Sequence, residues 1–350
     1  SMKREYKVFT CALAALILFT CCSNGPTIAE SSQEEFSGYS GEVVFYCSLP
    51  EKLMQKLKSG FEKRYSLIDV QYEFASTGKI LTRLATEKQT RKVTADLVWV
   101  DTFADTIRMK EEGILTPYLS PQAIHFHSDY LDNDYFYAGA RMYSFVIAYN
   151  TDLVPESEVP RSWQDLLDPK WKGKIVLTDP GDAGSAQHFM ALMLLNESYG
   201  EEFFTQLRDN GCMLETSMNG THLQVVQGNY PIGIGLDYMV ESMAASGEPI
   251  AAIRPEKDGV TLFSPIGLVE GGPNLRNARL LYDYILSEEG QNILKSSHLR
   301  GIRDDGQEGS NRKTVLKNDM WVDDWLMYDK AAEMLATFDR IFFEGRTTPR

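Results

Sequence analysis

The sequence predicts an α/β protein of two lobes, each a mixed sheet flanked by helices, with a ligand cleft where the lobes join. Three stretches predict it. Leu67–Asp101 reads as strand, turn, helix, loop and strand, which is one βαβ unit of a parallel sheet. Lys174–Leu195 repeats the build, with Lys174–Leu177 (KIVL) as strand, a Gly-rich turn over 178–186 and a helix from Gln187. Between them Tyr135–Asn150 (YFYAGARMYSFVIAYN) reads as one long strand, or two in succession, and suits a crossing between lobes.

The chain opens with Ser1 ahead of Met2, so Met2 reads as the native start. Lys3, Arg4 and Lys7 precede Val8–Thr20, an apolar stretch too short for a comfortable membrane span and fitted to the core of a secretory signal. Cys21 and Cys22 follow, which resembles a bacterial lipoprotein signal. Cys21 is the expected lipid anchor and Cys22 the fallback. Residues 1–21 are then the signal and 22–40 a polar, flexible tether. Only Cys47 and Cys212 remain in the folded part, and they are expected unpaired, in separate lobes.

Gly41–Cys47 is the first strand, and Pro50 suits the first turn of the helix after it, whose buried stripe is Leu53, Leu57 and Phe61. Ile80, Leu81 and Leu84 mark the helix inside the first βαβ unit. A helix over Phe103–Glu112 closes at Gly113, and Ser120–Asp134 reads as loop. In the second lobe Glu201–Asn210 and Gly220–Gln227 read as helices and Tyr230–Leu236 as a strand, with a further helix from Asp237 through Ala245. Thr261–Val269 is a strand, Leu275–Leu286 and Glu288–Leu294 are helices, and Asp304–Arg312 is loop. Trp321–Phe343 is an amphipathic helix offering Trp325, Met327, Met334 and Leu335 for packing. The expected division is 41–139 with 262–303 as lobe one, 140–261 as lobe two, and 304–350 as a helical tail packed on both.

Composition narrows the function. A formal charge of −14 leaves no basic excess to meet a phosphate backbone, so no nucleic-acid partner is expected. No Gly-x-Ser-x-Gly or His-Glu-x-x-His stretch occurs, and no enzyme or cofactor is expected. His125 and His127 share a loop without a third ligand, while His188 and His222 fall in helices and read as packing or surface residues.

Several pieces together carry a family resemblance: Val43-Val44-Phe45-Tyr46, Ala95-Asp96-Leu97-Val98, Ser162-Trp163-Gln164-Asp165-Leu166, Trp171-Lys172-Gly173-Lys174-Ile175, Asp179-Pro180, Gly228 through Gly235, and Tyr284 through Gln291. In this order the chain, over roughly Gly41 to Gly301, resembles the bacterial extracellular solute-binding proteins of the ferric-ion, phosphonate and sugar-phosphate group. These are the binding components of ABC importers, with the type 2 periplasmic-binding fold. The resemblance implies a monomeric, lipid-anchored receptor outside the cytoplasm that closes on a small anionic solute and delivers it to membrane permease subunits.

Strand-to-helix turns of such folds bind anions through free N–H groups and the helix dipole. Ser76, Thr77 and Gly78 match that use in lobe one, and Gly184, Ser185 and Ala186 in lobe two. Asp237 is expected to read hydroxyls or an amine, Tyr238 and Tyr46 to pack on the organic body, and Ser48 and Asp101 to border the cleft. The expected solute is a sugar phosphate, glycerol phosphate or phosphonate. The alternative is ferric ion: relatives that bind it use a Tyr-Tyr pair where this chain has Asp237-Tyr238, so the alternative site is Tyr238, Tyr143 and Asp237. Arg141 reads either as an anion partner or as a salt bridge at the hinge.

Overall fold

The computed structural model describes residues 38–303 and 311–344. The expected signal 1–21 and nearly all of the tether 22–40 lie outside the described residues, as does most of the loop expected at 304–312. Residues 39 onward fold as one unit. Strand β1 (Ser40–Cys47) feeds helix α1 (Glu51–Arg64), β2 (Leu67–Phe74) feeds α2 (Thr77–Thr90), and β3 (Leu97–Trp99) feeds α3 (Phe103–Glu111). After β4 (Leu115–Thr116) come β5 (Ala138–Asn150), β6 (Ile175–Thr178), α4 (Gly184–Leu195), α5 (Gly200–Asp209) and β7 (Met213–Glu215). Then follow α6 (Met218–Val226), β8 (Ile232–Leu236), α7 (Asp237–Ala245), β9 (Ile250–Ile253) and β10 (Thr261–Val269). The described chain finishes with α8 (Leu275–Leu286), α9 (Glu288–Ser296), α10 (Arg312–Val315) and α11 (Asp324–Phe343).

The strands line up as β2-β1-β3-β10-β5-β8-β6-β7, with β4 beside β10 and β9 beside β5. β1 runs parallel to β2 and β3, whereas β10 is antiparallel to β3 and β5. In the other half β6 is parallel to β7 and β8, and β8 is antiparallel to β5. This is the expected α/β arrangement of two mixed half-sheets. β5 joins them. Through Ser144 it pairs with β10, and from Phe145 it pairs with β8, so the change of partner falls a few residues beyond the junction at 139/140 suggested by sequence. Every residue of β5 is buried, as a strand covered on both faces requires.

Local sequence explains the helix starts that matter for the cleft. The Ser76 hydroxyl accepts from Lys79 N and begins α2, while Thr102 and Asp105 form a reciprocal capping box on α3. α4 begins at Gly184, ahead of the Gln187 expected from periodicity, so Gly184, Ser185 and Ala186 form its first turn rather than the preceding loop. The segment 120–134 is not plain loop either: Pro121–His125 and Ser128–Tyr130 each make a short 3₁₀ turn, started by Ser120 and His127 side chains.

Helix α11 packs against α3 of the first lobe and against α4 and α5 of the second. It buries Met327, Phe338, Ile341 and Phe342, each worth about 1.5–3 kcal/mol of transfer from water. Trp325 departs from expectation and stays 46% exposed, because the buried stripe of α11 falls on the later residues. Cys47, at the end of β1, and Cys212, just before β7, are free. Among the described residues no helix is long and apolar enough to cross a membrane.

Candidate functional site

The carboxyl ends of β1, β2 and β3 open on one place, and Asp101 stands at its centre. Asp101 Oδ2 accepts from the Thr77 hydroxyl at 2.7 Å. Its Oδ1 accepts from the Ser48 hydroxyl at 3.1 Å and from the Tyr143 phenol at 3.1 Å. Ser48 follows β1, Thr77 opens α2, and Tyr143 comes from β5, so three elements converge on one carboxylate.

Arg141 lies two residues before Tyr143 and therefore on the same face of β5. It is 1% exposed. Its guanidinium carbon stands 4.7 Å from the centre of the Tyr143 ring, 5.8 Å from that of Tyr238 and 5.7 Å from that of Trp99. Arg141 Nη1 donates to the Tyr238 phenol at 3.4 Å, a long bond, and Nη2 stops 3.6 Å from Asp101. Arg141 Nε has no acceptor among the described residues. A buried guanidinium with five donors is thus served by one long hydrogen bond and an ion pair outside hydrogen-bonding distance, and each missing bond costs about 1–3 kcal/mol.

The second lobe supplies Tyr238 from the first turn of α7, with its ring edge-on to Tyr143 at 5.4 Å, and the start of α4. A Cβ placed on Gly184 would stand 2.8 Å from Asp101 Oδ2 and 3.0 Å from Thr77 Cβ. The N-termini of α2 and α4 therefore meet at Asp101, which puts the positive ends of both helix dipoles beside that carboxylate. Ser185 and Ala186 are buried behind Gly184.

Burial, together with the Asp101 charge, holds the Tyr143 phenol well above its ordinary range. Burial raises Tyr238 as well, with Arg141 pulling the other way. Loss of water contact and the nearby Asp101 charge push Asp105 up to about 7. Both phenols are held neutral, Tyr143 donating to Asp101 and Tyr238 accepting from Arg141, which is the buried cation beside them.

Other residues singled out in the sequence sit differently. Asp237 faces Arg300, with Oδ2 3.5 Å from Nη2, while its Oδ1 accepts from Tyr238 N at 2.7 Å. Arg300 also donates to Ser144, which lies on the face of β5 opposite Arg141. The Tyr46 phenol donates to Glu87 at 2.8 Å with Arg83 over its ring, so it is engaged beneath α2 and does not border Asp101. Ser76 caps α2 at 3.4 Å, and Gly78 is exposed. Of the alternative metal set, the Tyr143 and Tyr238 rings come together, while Asp237, bonded to Tyr238 N, turns its other oxygen to Arg300. Among the described residues no three His, Cys, Asp or Glu side chains are placed to hold a metal ion. His222 is buried and its Nε2 accepts from Leu236 N, a packing role, while His127 accepts from Asp129 N in its own turn.

Arg141 is the residue whose sequence reading stayed open, and the structure places it in the cleft wall and beside Asp101 at once. Arg300 gave no sequence signal, since it lies beyond α9 in a single β-bridge to Met142 and reaches its partners only through the fold.

Two half-sheets joined by a continuous buried strand, with two helix N-termini meeting at Asp101, are the architecture of a periplasmic-binding-protein-like fold. The chain belongs to the bacterial extracellular solute-binding protein family, whose pattern matches residues 96–316. Among curated relatives it is 28% identical over 264 residues to an uncharacterized protein of Haemophilus influenzae, covering 72% of this chain and 75% of that protein. It is 28% identical over 152 residues to a putative 2-aminoethylphosphonate-binding periplasmic protein of Salmonella typhimurium, covering 41% and 44%. With iron uptake protein A1 of Synechocystis it shares 22% identity over 307 residues, covering 83% and 82%.

Solved structures agree in fold. An ABC-transporter substrate-binding protein from Agrobacterium tumefaciens superposes with a TM-score of 0.78 at 16% identity, over 88% of this chain and 96% of that one. AfuA of Actinobacillus pleuropneumoniae with fructose-6-phosphate bound gives 0.75 at 20%, over 88% and 100%. Iron-bound HitA of Pseudomonas aeruginosa gives 0.72 at 18%, over 86% and 99%. The family assigns the protein an extracytoplasmic solute-binding role rather than a catalytic one.

Proposed function

We propose that the solute is a small phosphorylated or phosphonate anion, held between the starts of α2 and α4 with Arg141 as its fixed cation. The observation that carries this is the Nε of Arg141, a fully buried donor without an acceptor among the described residues. A tetrahedral oxyanion brings several acceptors at once and matches a guanidinium fork. The first-turn amides of α4 add donors with no buried full charge of their own. Binding adds no covalent step; affinity comes from closing two donor-rich surfaces on the anion and excluding water.

A second reading, ferric ion, has its own support. Tyr143 and Tyr238 bring two phenols to one point. By share of chain covered, the comparisons favour it, since the iron uptake protein aligns over twice the length of the phosphonate-binding relative. Beside Arg141 a ferric ion needs a companion anion to offset the guanidinium, so this reading still gives Arg141 an anionic partner.

Native mass spectrometry of the protein as purified, followed by calorimetry with 2-aminoethylphosphonate, fructose-6-phosphate and ferric citrate, separates the readings. Retention of a phosphorus-containing solute and heat with either of the first two support the main reading. A coloured complex with ferric citrate, lost in both Tyr143→Phe and Tyr238→Phe, establishes the second instead. The lipid anchor at Cys21 belongs to the same proposal and rests on the basic and apolar run before it. Cys21→Ala should release the chain from the membrane fraction, and continued palmitate labelling of that variant would move the anchor to Cys22.

A further inference from the structure

We propose that Gly184 sets how far the cleft closes, acting as the point where lobe two lands on lobe one rather than as a ligand contact. The inference rests on cleft closure and not on which solute is bound. Gly184 is the first residue of α4, and its backbone does not adopt a conformation that calls for glycine. What calls for glycine is space. A Cβ there would meet Asp101 Oδ2 at 2.8 Å, Thr77 Cβ at 3.0 Å and Thr77 Oγ1 at 3.1 Å, all on the opposite lobe.

Neither neighbour can swing aside cheaply. Asp101 is held by the Ser48, Thr77 and Tyr143 hydroxyls and faces Arg141, so moving it breaks several bonds of the cleft wall. Thr77 is fixed as the buried first residue of α2 and is tied to Asp101 by its hydroxyl. The obstruction is therefore relieved by rotating the lobes apart, because a helix start and a strand end on opposite sides of a hinge separate more easily than either deforms. The corresponding glycine of lobe one, Gly78, has nothing within 4 Å of a Cβ, so only one of the two facing turns carries this constraint.

A side chain at 184 should leave each lobe folded and prevent the last part of closure. Solute then associates with the open form as before and leaves faster, because water is less fully excluded and the donors of α4 stand back from the anion. The test uses the mature chain and Gly184→Ala, with Gly184→Val as a larger step. Ligand-free melting temperature should be unchanged or higher in Gly184→Ala, as alanine favours a first helical turn over glycine. Small-angle scattering and stopped-flow are run with 2-aminoethylphosphonate, fructose-6-phosphate and ferric citrate as probes. For the probe that contracts the wild type, Gly184→Ala should contract less, with dissociation faster by about tenfold and association within about twofold. Gly184→Val should exceed Gly184→Ala in both. Hydrogen exchange of the ligand-free protein over residues 74–80 and 181–187 supplies a readout independent of solute, with exchange at both turns faster by about fivefold in Gly184→Ala. Full contraction with unchanged dissociation and unchanged exchange would overturn the proposal. Should no probe contract the wild type, the proposed solute classes fail, and the exchange measurement alone decides the role of Gly184.

Discussion

The two helix starts that meet across the cleft are built differently. At α2 the Ser76 hydroxyl caps the helix, Gly78 is exposed with open space beside it, and only Thr77 is buried. At α4 no side chain caps the helix, Ser185 and Ala186 are buried, and Gly184 lies against the opposite lobe. The difference assigns the labour. The lobe-one turn satisfies part of its own donor demand and positions Asp101 through Thr77. The lobe-two turn has no N-cap side chain on its first amides, and under the proposed closure it is the surface that arrives on lobe one.

Removing what both turns share should have the largest effect. Arg141→Met is expected to weaken solute binding by about a hundredfold or more by calorimetry, since a charge-assisted bidentate contact is lost. Its melting temperature should stay close to wild type, because an under-satisfied buried guanidinium is exchanged for an apolar side chain of similar volume. A collapse in melting temperature would mean that Arg141 is chiefly the hinge salt bridge.

Next in size is the contrast between the turns. Ser185→Ala should weaken binding by about tenfold with little change in stability, as a buried hydroxyl beside the uncapped amides is removed. Ser76→Ala should instead lower stability by about 0.5–2 kcal/mol and change affinity by about twofold or less. Equal affinity losses would erase the asymmetry. Asp237→Asn tests whether the Arg300 pair reports to the cleft. With Asp237 turned to Arg300, affinity for a phosphonate should change less than in Ser185→Ala, and an equal or greater loss would return Asp237 to the binding surface.

The smallest effect concerns pH and the body of α4. Burial, with the nearby Arg312 charge adding to it, lowers His188 to about 4. The unfolded chain takes up a proton near pH 6.5 and the folded chain only near 4, so this group costs stability progressively as pH falls between those values. Above pH 6.5 it costs nothing. His188→Gln should therefore narrow the gap in melting temperature between pH 7 and pH 5, and an unchanged gap would show that His188 titrates normally.

Much of this was legible along the chain. Alternation placed β2 and near-continuous apolar runs placed β5, β8 and β10, because a strand with one exposed face alternates while one buried on both faces is apolar throughout. The pairing of 76–78 with 184–186 was suggested by two strand-to-helix units of one build, and Thr77 and Gly184 are the residues at which the two starts meet. The short strands β7 and β9 were not seen, since three or four residues carry no periodicity of their own. Tyr46 read as a cleft residue because it precedes Ser48 at the end of β1, yet Glu87 in α2, 41 residues away, claims its phenol. Asp237 read as a ligand group beside Tyr238 until Arg300, distant in sequence, claimed it.

By itself the sequence determined the α/β class, the two strand-to-helix units and the long crossing strand, all of which depend on residue order and local periodicity. Tertiary structure alone decided that Arg141 is buried with donors to spare, that Asp101 gathers three hydroxyls, and that Gly184 touches the opposite lobe. Those are distances between elements far apart in the chain, and hydroxyl, carboxylate and guanidinium groups acquire their meaning only from the partners that folding brings within about 3 Å.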